Sequence, residues 1–261
     1  MTLPKMIVLD LDGTLLDSNK NVSGRTVKLL TELKEKGVQL VFATARPPRV
    51  TVFKGIDLTT LGTLIFYNGA LFDCALTKKQ IHFGIPHRTA QKVIDYCNEL
   101  DPEANLSVEI KDHWFSFKPL DYREFMHVDH NPVVIEQEHV SSQDCTKILL
   151  TDFPFANQLV TTYQNELNVI VTDQGRLTQI MAKEASKEQA IAHLLKTHQL
   201  DFDDVLCFGD DYNDLGLFQA CGYAVAMGNA VDELKEIADE VTSSNDEEGV
   251  ANVLEKLKNR E

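Results

Sequence analysis

Short apolar runs alternate with segments of helical spacing near the start of the chain. Between the first two runs, Val27, Leu30 and Leu33 recur at helical spacing, with Ser23 as a candidate N-cap and Gly37 as a stop. Apolar strands that are separated by a helix favour parallel pairing, with both faces of the sheet covered. The predicted strands of this region are "MIVLD", "VQLVFATAR" and "GTLIFYNGA".

The pattern changes near Gln80, where shorter strands and helical segments begin to mix. This α+β pattern extends over about 100 residues, which is enough chain for a small core of its own. From Ser186 the first pattern resumes and ends in a helix around "EEGVANVLEKLK". We therefore predict an α/β fold with a Rossmann-like parallel sheet core, residues 1–82 and 185–261, interrupted by an inserted α+β domain, residues 83–184.

The composition is strongly acidic. The chain has 40 acidic and 25 basic residues, a net charge of −15 and a pI near 4.9. Nucleic acids and anionic membranes are bound by clustered Lys and Arg, so this composition argues against both as partners. A phosphorylated ligand would therefore need positive charge from a metal ion and a few placed cations.

The location of the protein is predicted from its N-terminus and its cysteines. The segment "MTLPKMIVLD" lacks the long apolar core of a signal peptide, and no apolar run reaches the roughly 18 residues of a transmembrane helix. The five cysteines form no CxxC pair, and most have apolar neighbours, as reduced core thiols do. We therefore expect the reducing environment of the cytoplasm.

Two aspartates follow the first predicted strand directly. Asp10 and Asp12 are two residues apart, so both carboxylates point to the same side of an extended chain. Like charges held this close cost free energy unless a cation or a proton relieves them. One carboxylate could act as a nucleophile while the other handles protons, and Gly13 allows a tight exit from the strand. The alternative is a strand-end turn with solvated aspartates.

A second acidic cluster, "GDDYND" from Gly209 to Asp214, follows the apolar run "VLCF". Its oxygen-rich side chains are the ligands that Mg²⁺ prefers, and Mg²⁺ is commonly bound together with substrate phosphates. The alternative is an acidic turn. Because open α/β sheets bind ligands at the carboxyl ends of their strands, we expect both acidic clusters at one edge of the sheet.

Weaker signals come from residues that could contact a phosphate. Thr44 offers a hydroxyl and Ala45 a backbone amide at the end of the second strand, while Arg46 adds charge or caps a helix. Lys187 lies at a helix start, where the dipole favours an anion, so it is either a solvated lysine or part of an anion site. Residues 67–70, "YNGA", form a turn or a polar loop that faces the substrate.

In this order and spacing, the clusters resemble the haloacid dehalogenase (HAD) superfamily, and within it the Cof-type phosphatases of subfamily IIB. Its first motif, DxDGT, is similar to residues 10–14, and its second, a Thr that ends the next strand, is similar to Thr44. The third-motif lysine corresponds to Lys187, and the fourth motif, GDxxND, corresponds to residues 209–214. The resemblance covers essentially the whole chain and implies that residues 83–184 are a cap domain.

Two positions depart from the pattern of this family. Ala45 stands where the second motif often has glycine, and its amide remains available unless the turn requires a positive φ. Glu188 follows the lysine where glycine is common, which adds a negative charge near the phosphate. Neither departure removes a catalytic group.

The resemblance implies a mechanism with an aspartyl-phosphate intermediate. Asp10 would be the nucleophile, and Asp12 would protonate the leaving alcohol and then activate water. The resemblance also implies that Mg²⁺ would lie between Asp10, the backbone carbonyl of Asp12 and Asp210. Phosphoryl transfer depends mostly on positioning and charge stabilisation, so one divalent ion and one lysine suit the task. The phosphoryl oxygens would be held by Thr44, Ala45, Lys187 and Asn213, with Gly13, Arg46 and Asp214 in supporting positions.

The resemblance thus implies a phosphatase for a small phosphorylated metabolite, of the sugar phosphate, pyridoxal phosphate or flavin mononucleotide class. Two alternatives stay open: a phosphosugar mutase on the same fold, and a non-catalytic sensor of a phospho-ligand, similar to a receiver domain. Receiver domains lack an insertion of this size, and an acid/base at Asp12 would shorten the life of a phospho-switch. We expect a monomer or a small homo-oligomer.

Overall fold

A computed structural model describes residues 3–50, 56–74, 77–123, 128, 130–140 and 142–258. The strands are β1 Met6–Asp10, β2 Gln39–Ala43, β3 Thr63–Phe66, β4 Leu71–Cys74, β5 Lys79–His82, β6 Asn105–Ile110, β7 His113–Ser116, β8 Val133–Val134, β9 Lys147–Thr151, β10 Leu167–Thr172, β11 Leu177–Ala182, β12 Val205–Gly209, β13 Tyr223–Ala226 and β14 Glu240–Val241. The α-helices are α1 Gly24–Glu35, α2 His87–Leu100, α3 Ala156–Tyr163, α4 Lys187–His198, α5 Leu215–Ala220, α6 Asp232–Ile237 and α7 Gly249–Lys258.

The chain divides into two compact units. The core unit comprises Met1–Ile81 and Ser186–Glu261, and the inserted unit comprises His82–Ala185. An eight-stranded sheet has the order β14-β13-β12-β1-β2-β3-β4-β5, and a six-stranded sheet has the order β10-β11-β9-β6-β7-β8. The α/β architecture predicted from the hydrophobic pattern is thereby confirmed.

The central strands of the core sheet are parallel, as the alternation of strands and helix predicts. Strand β1 pairs in parallel with both β2 and β12, with Met6 opposite Gln39 on one side and Val205 on the other. All five residues of β1 are buried. This central position places the residue that ends β1, Asp10, between the ends of two neighbouring strands.

Helix α1 shows how local sequence builds this unit. The side chain of Ser23 caps it by accepting a hydrogen bond from the backbone N–H of Thr26, and Gly37 follows its end with φ +91°. Its buried face differs from the predicted one, because Leu29 is buried and Val27 is only half-buried. Leu30 and Leu33 are buried as predicted, and the polar Thr26 is also buried.

Several short elements of the core unit carry no strong sequence signal. Strand β4 turns back and pairs antiparallel with β3, with Ile65 opposite Phe72. The reversal occurs at Tyr67, Asn68 and Gly69, all three of which have positive φ. The two-residue strand β14 and the helix α6 were likewise not predicted, since elements this short have little periodicity to detect.

The inserted unit is an α+β domain, as its mixed pattern predicts. Its strands pair antiparallel except for β7 and β8, which are parallel. Trp114 is buried in a cluster with Tyr122, Leu149 and Leu177, and its indole N–H donates to Ser107 Oγ. The ring of Trp114 stacks on that of Tyr122 with centroids 5.1 Å apart, so this tryptophan belongs to the interior of the unit.

The cysteines are free thiols, four buried and one half-buried. Burial raises the pKa of Cys97 to about 12, and burial together with Asp144 does the same for Cys145, which makes both thiols unreactive. In the described part of the chain, no helix has both the length and the apolar composition needed to cross a membrane.

Candidate active site

The acidic clusters meet at the carboxyl ends of β1 and β12. These strands pair in parallel with Leu9 opposite Phe208, so the residues that follow them leave the sheet at the same edge. Asp10 ends β1 and is 6% exposed, while Asp210 directly follows β12 and is half-buried. The interpretation of both clusters as solvated turns is therefore wrong for Asp10, which is enclosed.

Lys187 joins the two clusters through hydrogen bonds. Its Nζ donates to Asp10 Oδ1 at 2.5 Å and to Asp214 Oδ1 at 2.7 Å. The side chains of Lys187 and Asp214 have no exposed surface. Lys187 begins α4, which is capped by the side chain of Ser186. The alternative of a solvated surface lysine is excluded by this burial.

Asp214 uses both carboxylate oxygens within the protein. Oδ1 accepts from Lys187, and Oδ2 accepts from the backbone N–H groups of Asp210 and Asp211, at 3.1 and 3.4 Å. A Cβ atom at Gly209 would lie 2.5 Å from Asp214 Oδ2, so only glycine leaves room for this arrangement. Asp214 therefore holds both the lysine and the loop that follows β12.

The buried carboxylates have perturbed acidities. Burial, reinforced by Asp214 against the opposing effect of Lys187, raises the pKa of Asp10 to about 8. Burial also raises the pKa of Asp210 to about 6, although Thr14 donates to it. Because burial disfavours the ionised form of both carboxylates, a divalent cation bound beside them would offset that cost.

Three carboxylates are close enough to bind one cation. One oxygen from each of Asp10, Asp210 and Asp214 lies within 4.8 Å of the others. Among the described residues, no hydrogen bond occupies Oδ2 of Asp10 or Oδ2 of Asp210, whereas both oxygens of Asp214 are engaged. Hard oxygen donors of this kind suit Mg²⁺, so the donor set fits the predicted cofactor.

The carboxylate of Asp12 points elsewhere, to two cations. Arg46 donates from Nε to Oδ2 at 2.6 Å and from Nη2 to Oδ1 at 2.5 Å, and Lys20 Nζ donates to Oδ1 at 2.7 Å. Partial burial raises the pKa of Asp12, but these two cations outweigh it and the net shift is downward. Any metal contact of Asp12 is thus left to its backbone carbonyl. Sequence reasoning did not identify Lys20, which follows the motif by several residues in a turn.

Gly13 allows the first motif to approach the fourth. It has φ +80°, and a Cβ atom there would lie 2.1 Å from Asp210 Oδ2. Thr14 Oγ1 donates to Asp210 Oδ1 at 2.8 Å, and Asn229 Nδ2 donates to the carbonyl of Gly13 at 2.8 Å. Asn229 was missed, although it comes shortly after β13 and the strand-end rule could have found it.

The second motif lies beside these groups at the end of β2. Thr44 is buried, and its hydroxyl accepts from the backbone N–H of Arg46 at 3.1 Å. Ala45 is exposed, and its φ lies outside the positive range, so the turn does not require the glycine that the family often has. The other departure, Glu188, has its carboxylate against Gly216, where a Cβ atom would lie 2.6 Å from it.

Asn213 completes the set of predicted phosphate-binding residues. Its side-chain Nδ2 donates to Oδ1 of Asn68 at 2.9 Å, and both residues are half-buried. The "YNGA" segment is therefore a turn that also contacts the site. The structure thus brings Asp10, Lys187, Asp210 and Asp214 into direct contact and arranges Asp12 with Arg46, and Asn213 with Asn68, beside them.

Comparisons with known proteins relate the chain to a family of hydrolases. The family model for haloacid dehalogenase-like hydrolases matches residues 7–254. The chain is 25% identical over 264 residues to a Bacillus subtilis protein, the 5-amino-6-(5-phospho-D-ribitylamino)uracil phosphatase YitU, and the match covers 97% of each.

Solved structures share the fold of this chain. TM0651 from Thermotoga maritima has a TM-score of 0.85 with 28% sequence identity, covering 98% of this chain and 97% of that one. BT4131, a sugar phosphatase of HAD subclass IIB, has a TM-score of 0.81 with 19% identity over 97% of this chain and 99% of that one. At that identity BT4131 supports the fold alone.

Proposed function

The chain belongs to the haloacid dehalogenase-like hydrolases, and from this premise we propose that it is a Mg²⁺-dependent phosphatase that acts through an aspartyl-phosphate on Asp10. The observation that carries the proposal is the contact of Asp10 with Lys187, in a cluster with two further carboxylates. The bond to Lys187 engages Oδ1 of Asp10, which leaves Oδ2 as the attacking atom. A nucleophile, a cation and metal ligands are thus held within one site.

In the first step, Asp10 Oδ2 forms a bond to phosphorus, and the bond between phosphorus and the leaving oxygen breaks. Asp12 gives its proton to the departing alcohol. Lys187 Nζ and the side chain of Asn213 stabilise charge on the phosphoryl oxygens, with the Thr44 hydroxyl and the Ala45 amide as further donors. Positioning and charge stabilisation of this kind account for most of the catalysis of phosphoryl transfer.

In the second step, Asp12 takes a proton from water, which then attacks phosphorus and releases Asp10. This step needs Asp12 as the carboxylate. Arg46 and Lys20 lower the pKa of Asp12 despite its partial burial, so they favour the carboxylate that acts as the base and oppose the protonated form that the first step uses. The proton that Asp12 takes from water restores the protonated form that the next first step needs.

Mg²⁺ would be held by Asp10 and Asp210, together with the backbone carbonyl of Asp12, and would neutralise charge that builds up on the phosphoryl group. Asp214 would orient Lys187 and the loop after β12, as its hydrogen bonds to both indicate. These assignments rest on the donor atoms that remain available in the cluster.

The proposed substrate is a small phosphorylated metabolite. The inserted unit, residues 83–184 by the sequence boundary, would act as a cap that selects the leaving group. A panel of candidates would contain sugar phosphates, pyridoxal phosphate and flavin mononucleotide, together with a 5-phosphoribityl compound because of the relative YitU. We propose a cytoplasmic enzyme that is a monomer or a small homo-oligomer.

Hydrolysis of p-nitrophenyl phosphate tests this proposal. We expect turnover by the wild type with Mg²⁺, none with EDTA, and none by Asp10→Asn. A matched control is Asp203→Asn, which removes the same charge from an exposed turn at the other end of β12 and should keep wild-type activity. Turnover by Asp10→Asn, or turnover in EDTA, would contradict the mechanism.

Product analysis tests the mutase alternative. The wild type is incubated with each phosphosugar of the panel in ¹⁸O-labelled water. A phosphatase releases inorganic phosphate that carries one labelled oxygen, whereas a mutase returns an isomeric phosphosugar without label. If the main product is an isomerised sugar phosphate, the enzyme is a mutase that transfers the phosphoryl group to a sugar and not to water.

A further inference from the structure

We propose that Asn68 is a positioning residue, which holds the side-chain amide of Asn213 in the orientation that binds a phosphoryl oxygen. The inference rests on the proposed function, because it assigns Asn213 to phosphate binding. Asn213 Nδ2 donates to Asn68 Oδ1 at 2.9 Å across 145 residues of sequence. The contact joins the turn after β3 to the loop after β12, two segments that the topology brings to the same sheet edge.

The amide of asparagine has a donor side and an acceptor side. If Asn213 presented its Oδ1 to a phosphoryl oxygen, the two oxygens would repel each other. The acceptor Asn68 Oδ1 takes one of the two N–H groups of Asn213 Nδ2, which leaves the second N–H on the same nitrogen for the substrate. Asn68 thereby selects the donating orientation of Asn213 before the substrate arrives.

The backbone around Asn68 is strained. Tyr67 and Asn68 both have φ 52°, and Gly69 has φ 109°. Asparagine tolerates the left-handed region, but the bulky, fully buried Tyr67 does so at a cost of roughly 1–3 kcal/mol. Strain of this kind persists only where the surroundings hold it, and it clusters at functional sites.

The surroundings that hold this turn are the other phosphate-binding segments. The N–H of Tyr67 donates to the carbonyl of Arg46, and the N–H of Asn68 donates to the carbonyl of Thr44. A Cβ atom at Gly69 would lie 2.1 Å from the carbonyl oxygen of Ser186, the residue that caps the helix of Lys187. The turn therefore contacts the second, third and fourth motifs, and Asn68 supplies its side-chain contact to the fourth.

A second turn of the same backbone shape offers a matched comparison. Gln174 in the inserted unit has φ 58° and ψ 34°, against φ 52° and ψ 32° for Asn68, and each precedes a glycine of positive φ. Gln174 is exposed, and nothing lies within 4 Å of a Cβ atom placed at Gly175. Gln174→Gly therefore makes the same change to a left-handed backbone position in the other unit.

The test is a double-mutant cycle of Asn68→Gly and Asn213→Ala. Glycine keeps the left-handed backbone and removes the side chain of Asn68, including the acceptor Oδ1. With p-nitrophenyl phosphate, we expect Asn68→Gly to lower kcat/KM, and to weaken inhibition by inorganic phosphate, by about five- to tenfold, which corresponds to one lost hydrogen bond. Gln174→Gly, in the unit proposed to select the leaving group, should leave the inhibition by inorganic phosphate unchanged, since inorganic phosphate has no leaving group.

The cycle separates positioning from other roles of Asn68. If Asn68 acts through Asn213, Asn68→Gly causes no further loss in a protein that already carries Asn213→Ala. Losses that multiply in the double variant would overturn the proposal, as would wild-type values in Asn68→Gly alone.

A measurement on the wild type keeps the proposal testable if Asn68→Gly fails to fold. With ¹⁵N-asparagine labelling, the side-chain amide of Asn213, identified by its disappearance in Asn213→Ala, should exchange with water more slowly than that of the exposed Asn157. Equal exchange would overturn the proposal. This measurement needs no turnover. An inactive wild type would contradict the proposed function, while the exchange rate would still show whether Asn68 holds the side-chain amide of Asn213.

Discussion

Each unit of the molecule contains a buried lysine that faces acidic side chains. In the inserted unit, Lys147 on β9 lies opposite Glu109 on β6 in the antiparallel register, with Nζ 3.6 Å from Oε1. In the core unit, Lys187 contacts Asp10 and Asp214, and Asp210 lies beside them. The side chains of Lys147 and Glu109 are 8% and 3% exposed, so both lysines are enclosed.

The two clusters differ in charge balance. Lys147 and Glu109 are one cation and one anion, paired across neighbouring strands. The core cluster sets three carboxylates against one ammonium, which leaves two negative charges when all are ionised. Burial is the main cause of the raised pKa values of Asp10 and Asp210, and the neighbouring carboxylates add to it. A balanced buried pair needs no further ion, whereas an unbalanced buried cluster gains from binding a cation, which is the role the proposed function gives it.

The largest expected effect is the loss of activity in Lys187→Met. Removing a donor from the developing phosphoryl charge should lower kcat by about 10²- to 10³-fold. It also leaves Asp10 and Asp214 without their cation, which should lower the free energy of unfolding by about 3–5 kcal/mol. Initial rates and urea unfolding measure the two effects, and near-normal kcat in a folded Lys187→Met protein would contradict this account of the core cluster.

In the inserted unit, the same substitution should affect stability alone. Lys147→Met leaves Glu109 buried without this partner and should cost about 3–5 kcal/mol, whereas a double variant with Glu109→Leu should recover most of that loss. We expect kcat to stay at the wild-type value in the double variant, because neither residue belongs to the proposed site. A loss of kcat with intact stability would show that Lys147 is catalytic, and the contrast between the lysines would fail.

A smaller effect is expected from the metal. At 100 times its dissociation constant, a cation that binds only the folded state adds about 2.7 kcal/mol of stability. Mg²⁺ should therefore raise the Tm of the wild type and of the Lys147→Met/Glu109→Leu variant equally. The increase should shrink in Asp210→Asn, because that change removes a proposed ligand. An unchanged increase in Asp210→Asn would place the cation elsewhere.

The acidic residues of the core cluster could be predicted from the sequence, because the hydrophobic pattern shows where strands end. Asp10 and Asp210 end apolar runs, and parallel neighbours bring such residues to one edge, so their meeting could be predicted. The hydrogen bonds between Lys20 and Asp12 and between Asn68 and Asn213 could not be predicted from the sequence. They depend on turns whose backbone has positive φ at non-glycine residues, for which hydrophobic periodicity gives no signal.

The inserted unit shows the same limit. Each partner of the Lys147–Glu109 pair lies within an apolar strand sequence, where a charge looks like a solvent-facing position. Only the register of β6 against β9 reveals that the two face each other and are buried. Pairing partners across strands are set by loops and packing that local sequence does not specify.

The smallest expected effect is on the pH dependence of stability and concerns His82. Protonation of this histidine would place an unpaired positive charge in the inserted unit. Its ring nitrogen Nε2 lies 2.9 Å from Thr146 Oγ1, the same oxygen that accepts from the backbone N–H of Lys111. Burial, and then the positive charge of Lys111, lower the pKa of His82 below its ordinary value of 6.5, and Asp144 opposes them only in part. Unlike the core cluster, this position disfavours a cation.

The sign of the pH dependence follows from that shift. Below about pH 6.5 the unfolded chain binds a proton at His82 more readily than the folded one, so the stability of the inserted unit should fall as the pH drops from 6.5 through the lower folded-state pKa. The variant His82→Gln cannot titrate at this position and should reduce the pH dependence of stability. The control variant His113→Gln, at an exposed histidine of the same unit, should leave that dependence unchanged. Urea unfolding between pH 5 and 7.5 measures it. A steeper loss of stability in His82→Gln than in the wild type would mean that the folded inserted unit stabilises a protonated His82. The two units would then not differ in how they tolerate a buried charge.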